Sequence, residues 1–124
     1  MEVLFSSSYD DKFPPTAIFN SKKDFWTTTG LFPQEMVIQL ETARNIKSIS
    51  LSSYALKKII IETSEVESAM NFIKQAEMVD IPYQEGKLQE FFLNFSSPSK
   101  TKLLRIKVEE GYEDFVSIVN ANLN

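Results

Sequence analysis

The run Phe25-Trp26-Thr27-Thr28-Thr29-Gly30-Leu31-Phe32-Pro33-Gln34-Glu35-Met36-Val37-Ile38-Gln39-Leu40-Glu41 passes from turn chemistry into strand alternation, and its reading decides the fold. Three threonines with β preference follow the only tryptophan; Gly30 permits a backbone bend, and Pro33 fixes the start of the next segment. In that segment Met36, Ile38 and Leu40 alternate with Val37, Gln39 and Glu41, the period of a strand with one buried face. The stretch is a corner leading into a strand. An indole removes about 150–250 Å² from water on burial, so Trp26 is expected to anchor this corner in the core and not to serve as a stacking site for a ligand.

Around this corner the chain reads as a single domain spanning residues 1–124, a length that buries roughly two thirds of its unfolded surface without disulfides or metals. Hydrophobic residues make up 43%, with ten Phe and four Tyr, enough for a compact core and too many for disorder. Cysteine and histidine are both missing, which excludes thiol nucleophiles, disulfides, Cys/His zinc sites, Ser-His-Asp triads and imidazole bases. The net charge is −4, and lysines occur as scattered pairs (Lys22 with Lys23, Lys57 with Lys58), so nucleic acid is not an expected partner. No run has the length of a membrane span, and MEVLFSSSYDDK lacks the basic and apolar regions of a signal peptide. A soluble intracellular protein without membrane insertion is the expectation.

Residues 1–7 read as a first strand, ending in the turn formers of SSSYDDKFPP; Pro14-Pro15 stops any helix from crossing it, and Thr16 to Asp24 has room for one helical turn burying Ile18 and Phe19. After MVIQLE, TARN at 42–45 reads as a turn. In the next run Lys47, Ile49 and Leu51 are taken as the inward set, with Lys47 at the edge, and in KKIIIET Ile59 and Ile61 share one face. These closely spaced strands predict hairpins or a meander. Residues 64–80 fit a helix (Ala69, Phe72, Ile73, Ala76) or a strand (Met70, Phe72, Lys74) equally well. LQEFFLNF at 88–95 is strand-like, SSPSK at 96–100 reads as a turn, KLLRIKVEE points Leu104, Ile106 and Val108 inward, and FVSIVNANL closes the set. The sum is an all-β antiparallel sandwich with hairpin and Greek-key connections.

Carboxylates cluster at Asp10 and Asp11, at Asp24, and at Glu109, Glu110, Glu113 and Asp114. Oxygen-rich loops of a sandwich can hold calcium, but none of these clusters has the D-x-D-x-D-G spacing, and each reads first as a solvated turn. Neither G-x-G-x-x-G nor the Walker pattern is present. A binding or scaffolding module is favoured over an enzyme by elimination.

Pro14-Pro15, Ile18-Phe19-Asn20, Phe25 to Gly30 and Phe32-Pro33-Gln34-Glu35 together resemble the small jelly-roll subunit of intraflagellar transport complex B. This is the family of intraflagellar transport protein twenty-five, also called heat shock protein beta-eleven. The likeness continues through Ser53-Tyr54, Glu85 to Gln89, Leu104-Arg105-Ile106 and Phe115 to Val119. The resemblance implies a discoidin-like, galactose-binding-type jelly roll without catalysis. It implies pairing with a Rab-like small GTPase, intraflagellar transport subunit twenty-seven, and work in the cilium or flagellum and in the cytoplasm near the basal body. Family members can hold calcium before the Trp in an Asp-Gly-Asn turn with a following Thr. Here the loop Asn20-Ser21-Lys22-Lys23-Asp24 is one residue shorter, with Asn20 in place of Asp and two lysines beside the would-be cation. Asn20 and Asp24 are the residues the resemblance marks for calcium, and no cofactor is expected to be required.

An adaptor of this family docks one sheet face and loops on its partner. The other expectation, a carbohydrate- or lipid-headgroup-binding module of the same fold, calls for aromatics at loop tips, with Tyr9, Phe32 and Tyr112 as candidates.

Overall fold

The computed structural model describes residues 1–9, 12, 14–19, 25–28, 31–67 and 71–124. In chain order the described elements are β1 (Glu2–Ser6), a 3₁₀ turn (Pro15–Phe19), β2 (Trp26–Thr27), β3 (Gln34–Tyr54), β4 (Leu56–Ser64), β5 (Ile73–Met78), β6 (Gln89–Gly111) and β7 (Ser117–Leu123). β3 and β6 are 21 and 23 residues long. At about 3.3 Å per residue each would extend roughly 70 Å or more if straight, so each bends and serves both layers of a sandwich.

The first half of β3 lies between β1 and the second half of β6, which pairs onward with β4 and then β5. The second half of β3 lies between β7 and the first half of β6, and β2 completes that shorter sheet beyond β7. Every pairing is antiparallel. One core is shared by both layers: Met36, Ile38, Ile59, Ile61, Leu104, Ile106 and Val108 come from the long sheet, and Trp26, Ile49, Leu51, Leu93, Ile118 and Ala121 from the short one. Trp26 is 1% exposed and its indole N–H donates to the Ser8 carbonyl at 2.8 Å, so the anchoring expected of it holds.

The predicted alternation of Met36, Ile38 and Leu40 and of Leu104, Ile106 and Val108 is present, with all six buried. Connectivity differs from the sequence expectation. TARN and SSPSK are not turns but the bends of β3 and β6, where Arg44 and Asn45 pair with Thr101 and Lys100. β3 and β4 do not form a hairpin, because β6 lies between them. Lys47 is exposed and Ile46 is buried, the reverse of the expected phase at that position. A register irregularity between Ile46 and Ser48 shifts the alternation by one, which lets Ile46, Ile49 and Leu51 all face the core. Of residues 64–80, Ile73–Met78 form strand β5, ruling out a helix there, and residues 68–70, including Ala69 and Met70 of both alternatives, lie outside the described residues.

The passage from the short sheet to the long one takes one residue. Ala55, buried with φ 61°, turns the chain between Tyr54 and Leu56. Buried backbone at such a corner needs partners, and the Gln89 side chain supplies them. Its Oε1 accepts from Leu56 N–H at 2.9 Å and from the Ser53 hydroxyl at 2.8 Å, while its Nε2 donates to the Leu56 and Pro82 carbonyls at 2.8 and 3.2 Å. Nearby, a Cβ on Gly111 would meet Val116 Cγ2 at 2.5 Å and Phe32 Cζ at 2.9 Å, so glycine is required there by close approach.

Candidate functional site

Antiparallel sheets of a sandwich turn one set of side chains inward and the alternate set to solvent, so each layer presents an outer face. On the long sheet, strand register lines up Val37, Arg105, Glu62 and Lys74 in one row and Glu35, Lys107, Ile60 and Glu77 in the next. Arg105 grips Glu62 with two parallel hydrogen bonds of 3.0 Å, and Lys107 stands 3.6 Å from both Glu62 and Glu109. The Phe72 ring lies 4.2 Å from the Arg105 guanidinium carbon. Lys74 donates to Glu77 at 2.8 Å, a bond that holds the ammonium above and the carboxyl below its ordinary value, and Lys58 adds a second cation 3.7 Å from Glu77. Opposite charges meet across β6, β4 and β5 at Arg105, Glu62 and Lys74, while Ile60 separates Lys107 from Glu77 and the exposed Phe5 stands beside Val37 on the β1 side.

The short sheet presents a different surface. Ser48, Ser50 and Ser52 of β3 run down its middle, opposite Asn94, Phe92 and Glu90 of β6, with Asn122 and Asn120 of β7 opposite Ser50 and Ser52 on the other side. Among these described positions Glu90 alone is charged. Tyr54 continues the outward set opposite Ser117, whose hydroxyl lies 2.9 Å from that of Thr27. Leu88 and Phe115 extend the outward phases of β6 and β7, so four large apolar side chains stand on this surface: Tyr54 at 41%, Leu88 at 42%, Phe115 at 61% and Phe92 at 65% exposed. Arg44 and Lys47 mark its opposite end, at the bend of β3.

Loops 79–88 and 112–116 meet beside Ala55. Tyr83 and Tyr112 stack there with centroids 4.5 Å apart; Lys57 lies 5.7 Å from the Tyr112 ring centre, and the Tyr112 hydroxyl donates to the Ile81 carbonyl at 2.7 Å. Tyr83 donates to Glu113 at 2.9 Å, and that hydrogen bond, with lesser help from burial and the adjacent negative charge, raises the phenol above its ordinary value. A shallow cleft of about 310 Å³ is lined by Pro82, Tyr83, Lys87 and Gln89.

The sequence-derived candidates separate. Asn20 and Asp24 lie outside the described residues, as do Asp10 and Asp11. The chemistry of that loop, one carboxylate and one amide with two ammonium groups between them, does not fit a tight calcium site. Among the described residues no group of three acidic side chains is placed to hold a metal. Glu109, Glu110 and Glu113 instead engage Lys107, Lys57 and Tyr83. Of the loop aromatics, Tyr9 is exposed, Phe32 packs on the core and Tyr112 is held in its stack. Tyr54, Leu88, Phe92 and Phe115 were not singled out from sequence as surface residues. The local signal was the alternation within LQEFFLNF, in which Phe92 shares its phase with Leu88, Glu90 and Asn94 and Phe91 shares that of Leu93 and Phe95.

No family model matches the chain. It is similar to the human intraflagellar transport protein 25 homolog, 32% identical over 118 residues that cover 94% of this chain and 81% of that protein. Intraflagellar transport protein 25 of Chlamydomonas reinhardtii is 28% identical over 117 residues, 94% of this chain and 60% of the algal protein. Among solved structures the fold is similar to the family 32 carbohydrate-binding module of Clostridium perfringens NanJ in complex with galactose, at TM-score 0.75 and 19% identity over 96% of this chain and 90% of that one. A second module of that bacterium, in complex with GalNAc-β-1,3-galactose, gives TM-score 0.76 at 19% identity over 96% and 91%. At such identity these two establish the galactose-binding-like jelly roll and nothing about ligands. Among the described residues no helix is long and apolar enough to cross a membrane.

Proposed function

The chain belongs to the intraflagellar transport protein 25 family, whose work is intraflagellar transport in the cilium or flagellum, and from that premise we propose that it is a non-catalytic adaptor subunit of complex B. It pairs with a Rab-like small GTPase, docking through one sheet face and adjoining loops, and supports cargo transport through the assembly that the pair joins; the same pair occupies the cytoplasm near the basal body. The observation that carries this reading is similarity along nearly the whole chain to proteins named for intraflagellar transport. Supporting it, Glu109, Glu110 and Glu113 are each engaged in a local pair, with Lys107, Lys57 and Tyr83. No cofactor is required for the pairing, and the charge balance between Asn20 and Asp24 makes calcium dispensable.

Size-exclusion chromatography and calorimetry of the chain with the Rab-like subunit from the same cell, in calcium and in chelator, test the reading. A one-to-one complex of equal affinity in both is the expected result. Absence of association, together with calcium-dependent binding of glycans or lipid headgroups, would replace it with the ligand-binding alternative.

A further inference from the structure

We infer that the outer face of the short sheet, centred on Phe92 and Ser50 and carrying Glu90 as its one charge among the positions described above, is the surface that meets the partner, and that it takes a protein surface with an uncharged, apolar centre. The inference rests on the adaptor reading and specifies its surface. An outer sheet face exposed only to water has no need to lose its charges, as the long sheet of this same molecule shows with its Arg105–Glu62, Lys107–Glu109 and Lys74–Glu77 pairs. Depletion of charge around exposed aromatics is the compositional mark of an interface core. Here Ser48, Ser50 and Ser52 are short enough to let Phe92, Tyr54, Leu88 and Phe115 stand above the sheet. A charged partner surface would lose its hydration against these groups without recovering an ion pair, whereas a neutral one loses little and covers four apolar side chains.

Area sets the size of the partner's footprint. Three strands about 4.8 Å apart and about seven residues long at about 3.3 Å each, with the two residues of β2 beside them, give a plane of roughly 360 Å², less than half of the ~800 Å² per partner of a standard interface. The partner therefore reaches past the sheet onto a neighbouring segment. The apolar side chains gather toward Leu88, Tyr54 and Phe115, so the extension runs over loops 82–88 and 112–116, away from Arg44 and Lys47.

Calorimetry with the Rab-like small GTPase as probe tests this with three single variants: Phe92→Ala, exposed on the free chain, and Ser50→Arg, half-buried, on the neutral face, and Lys58→Ala, half-buried, on the charged one. Thermal melts of the free variants, expected to match the parent chain, exclude misfolding. The expected result is a loss of roughly 30-fold or more for Phe92→Ala and Ser50→Arg, and a change within about threefold for Lys58→Ala. If the parent chain binds and both neutral-face variants bind as tightly, the surface assignment is wrong while the adaptor reading stands. Failure of the parent chain to bind removes the adaptor reading itself. A parent chain that self-associates, and whose Phe92→Ala variant is monomeric, would give this face to a second copy and overturn the inference in favour of a homodimer.

Discussion

The two outer faces of the sandwich are made by the same two long strands, since β3 and β6 each contribute one half to either layer, yet one half carries Glu35, Arg105 and Lys107 outward and the other Ser50, Ser52 and Phe92. On the long sheet, opposite charges answer each other across strands, which keeps a solvated surface soluble and discourages pairing with other proteins. On the short sheet, hydroxyls and amides surround exposed aromatics, leaving a surface with more to gain from a partner than from water.

The comparison depends first on both sheets closing on one core, and the strongest way to break it is to remove the anchor between them. Trp26→Ala is expected to cost about 3–5 kcal/mol, the indole burial plus its bond to the Ser8 carbonyl. Urea denaturation reads this directly, and a loss below about 1 kcal/mol would mean that the β2 corner is not part of the cooperative unit.

Next in size is the junction where the chain leaves one face for the other. Gln89→Met keeps the volume but leaves the Leu56 N–H and carbonyl without their side-chain partners, at a cost of about 2–4 kcal/mol. A variant as stable as the parent would show that water or a shifted backbone satisfies those groups.

Within the charged face, Glu62→Gln removes the carboxylate shared by Arg105 and Lys107. The expected cost is about 1 kcal/mol, because the pair is only partly buried and cation–π contact with Phe72 persists. A double-mutant cycle with Arg105→Met measures the coupling; a coupling indistinguishable from zero would make the lattice ornamental for stability.

The smallest effect is a pH dependence confined to that face. Lys74 donating to Glu77 depresses the Glu77 pKa in the folded chain, so its contribution is present above the unfolded carboxyl value and fades as pH falls through the folded one. Melting temperatures of the parent and of Glu77→Gln should therefore converge in acid and separate slightly toward neutral pH. Tyr83 carries the opposite sign: its raised pKa contributes stability below the unfolded phenol value, and that stability is lost as alkaline pH climbs through the folded one. Tyr83→Phe, followed by melting in alkali, separates this loop effect from the lattice.

How much of this was legible beforehand varies by residue. The inward phases of Met36, Ile38 and Leu40 and of Leu104, Ile106 and Val108 were readable because an unbroken period of two reports burial directly. Trp26 was readable as an anchor because a large indole next to turn residues has few other uses. Lys47 was misread because one irregularity in register between Ile46 and Ser48 breaks the phase that Ile49 and Leu51 would otherwise extend back to it, and such an irregularity leaves no mark in residue type. TARN and SSPSK were misread for a related reason. Polar residues serve a bend exposed at the edge of a sandwich as well as they serve a turn, and only the pairing of Arg44 and Asn45 with Thr101 and Lys100 tells the two apart.

By itself, the sequence determined the all-β class, the inward sets of the regular strands and the family, because alternation and a run such as Phe25 to Glu35 are local properties that neighbours in space cannot alter. It also removed cysteine and histidine chemistry. Only the tertiary structure decided that β6 separates β3 from β4, that Gln89 satisfies the backbone at Ala55, and that Phe92 shares a charge-poor surface with Tyr54, Leu88 and Phe115. Those relations join residues tens of positions apart, and the register that brings them together is set by the packing of the shared core, not by the identity of any one segment.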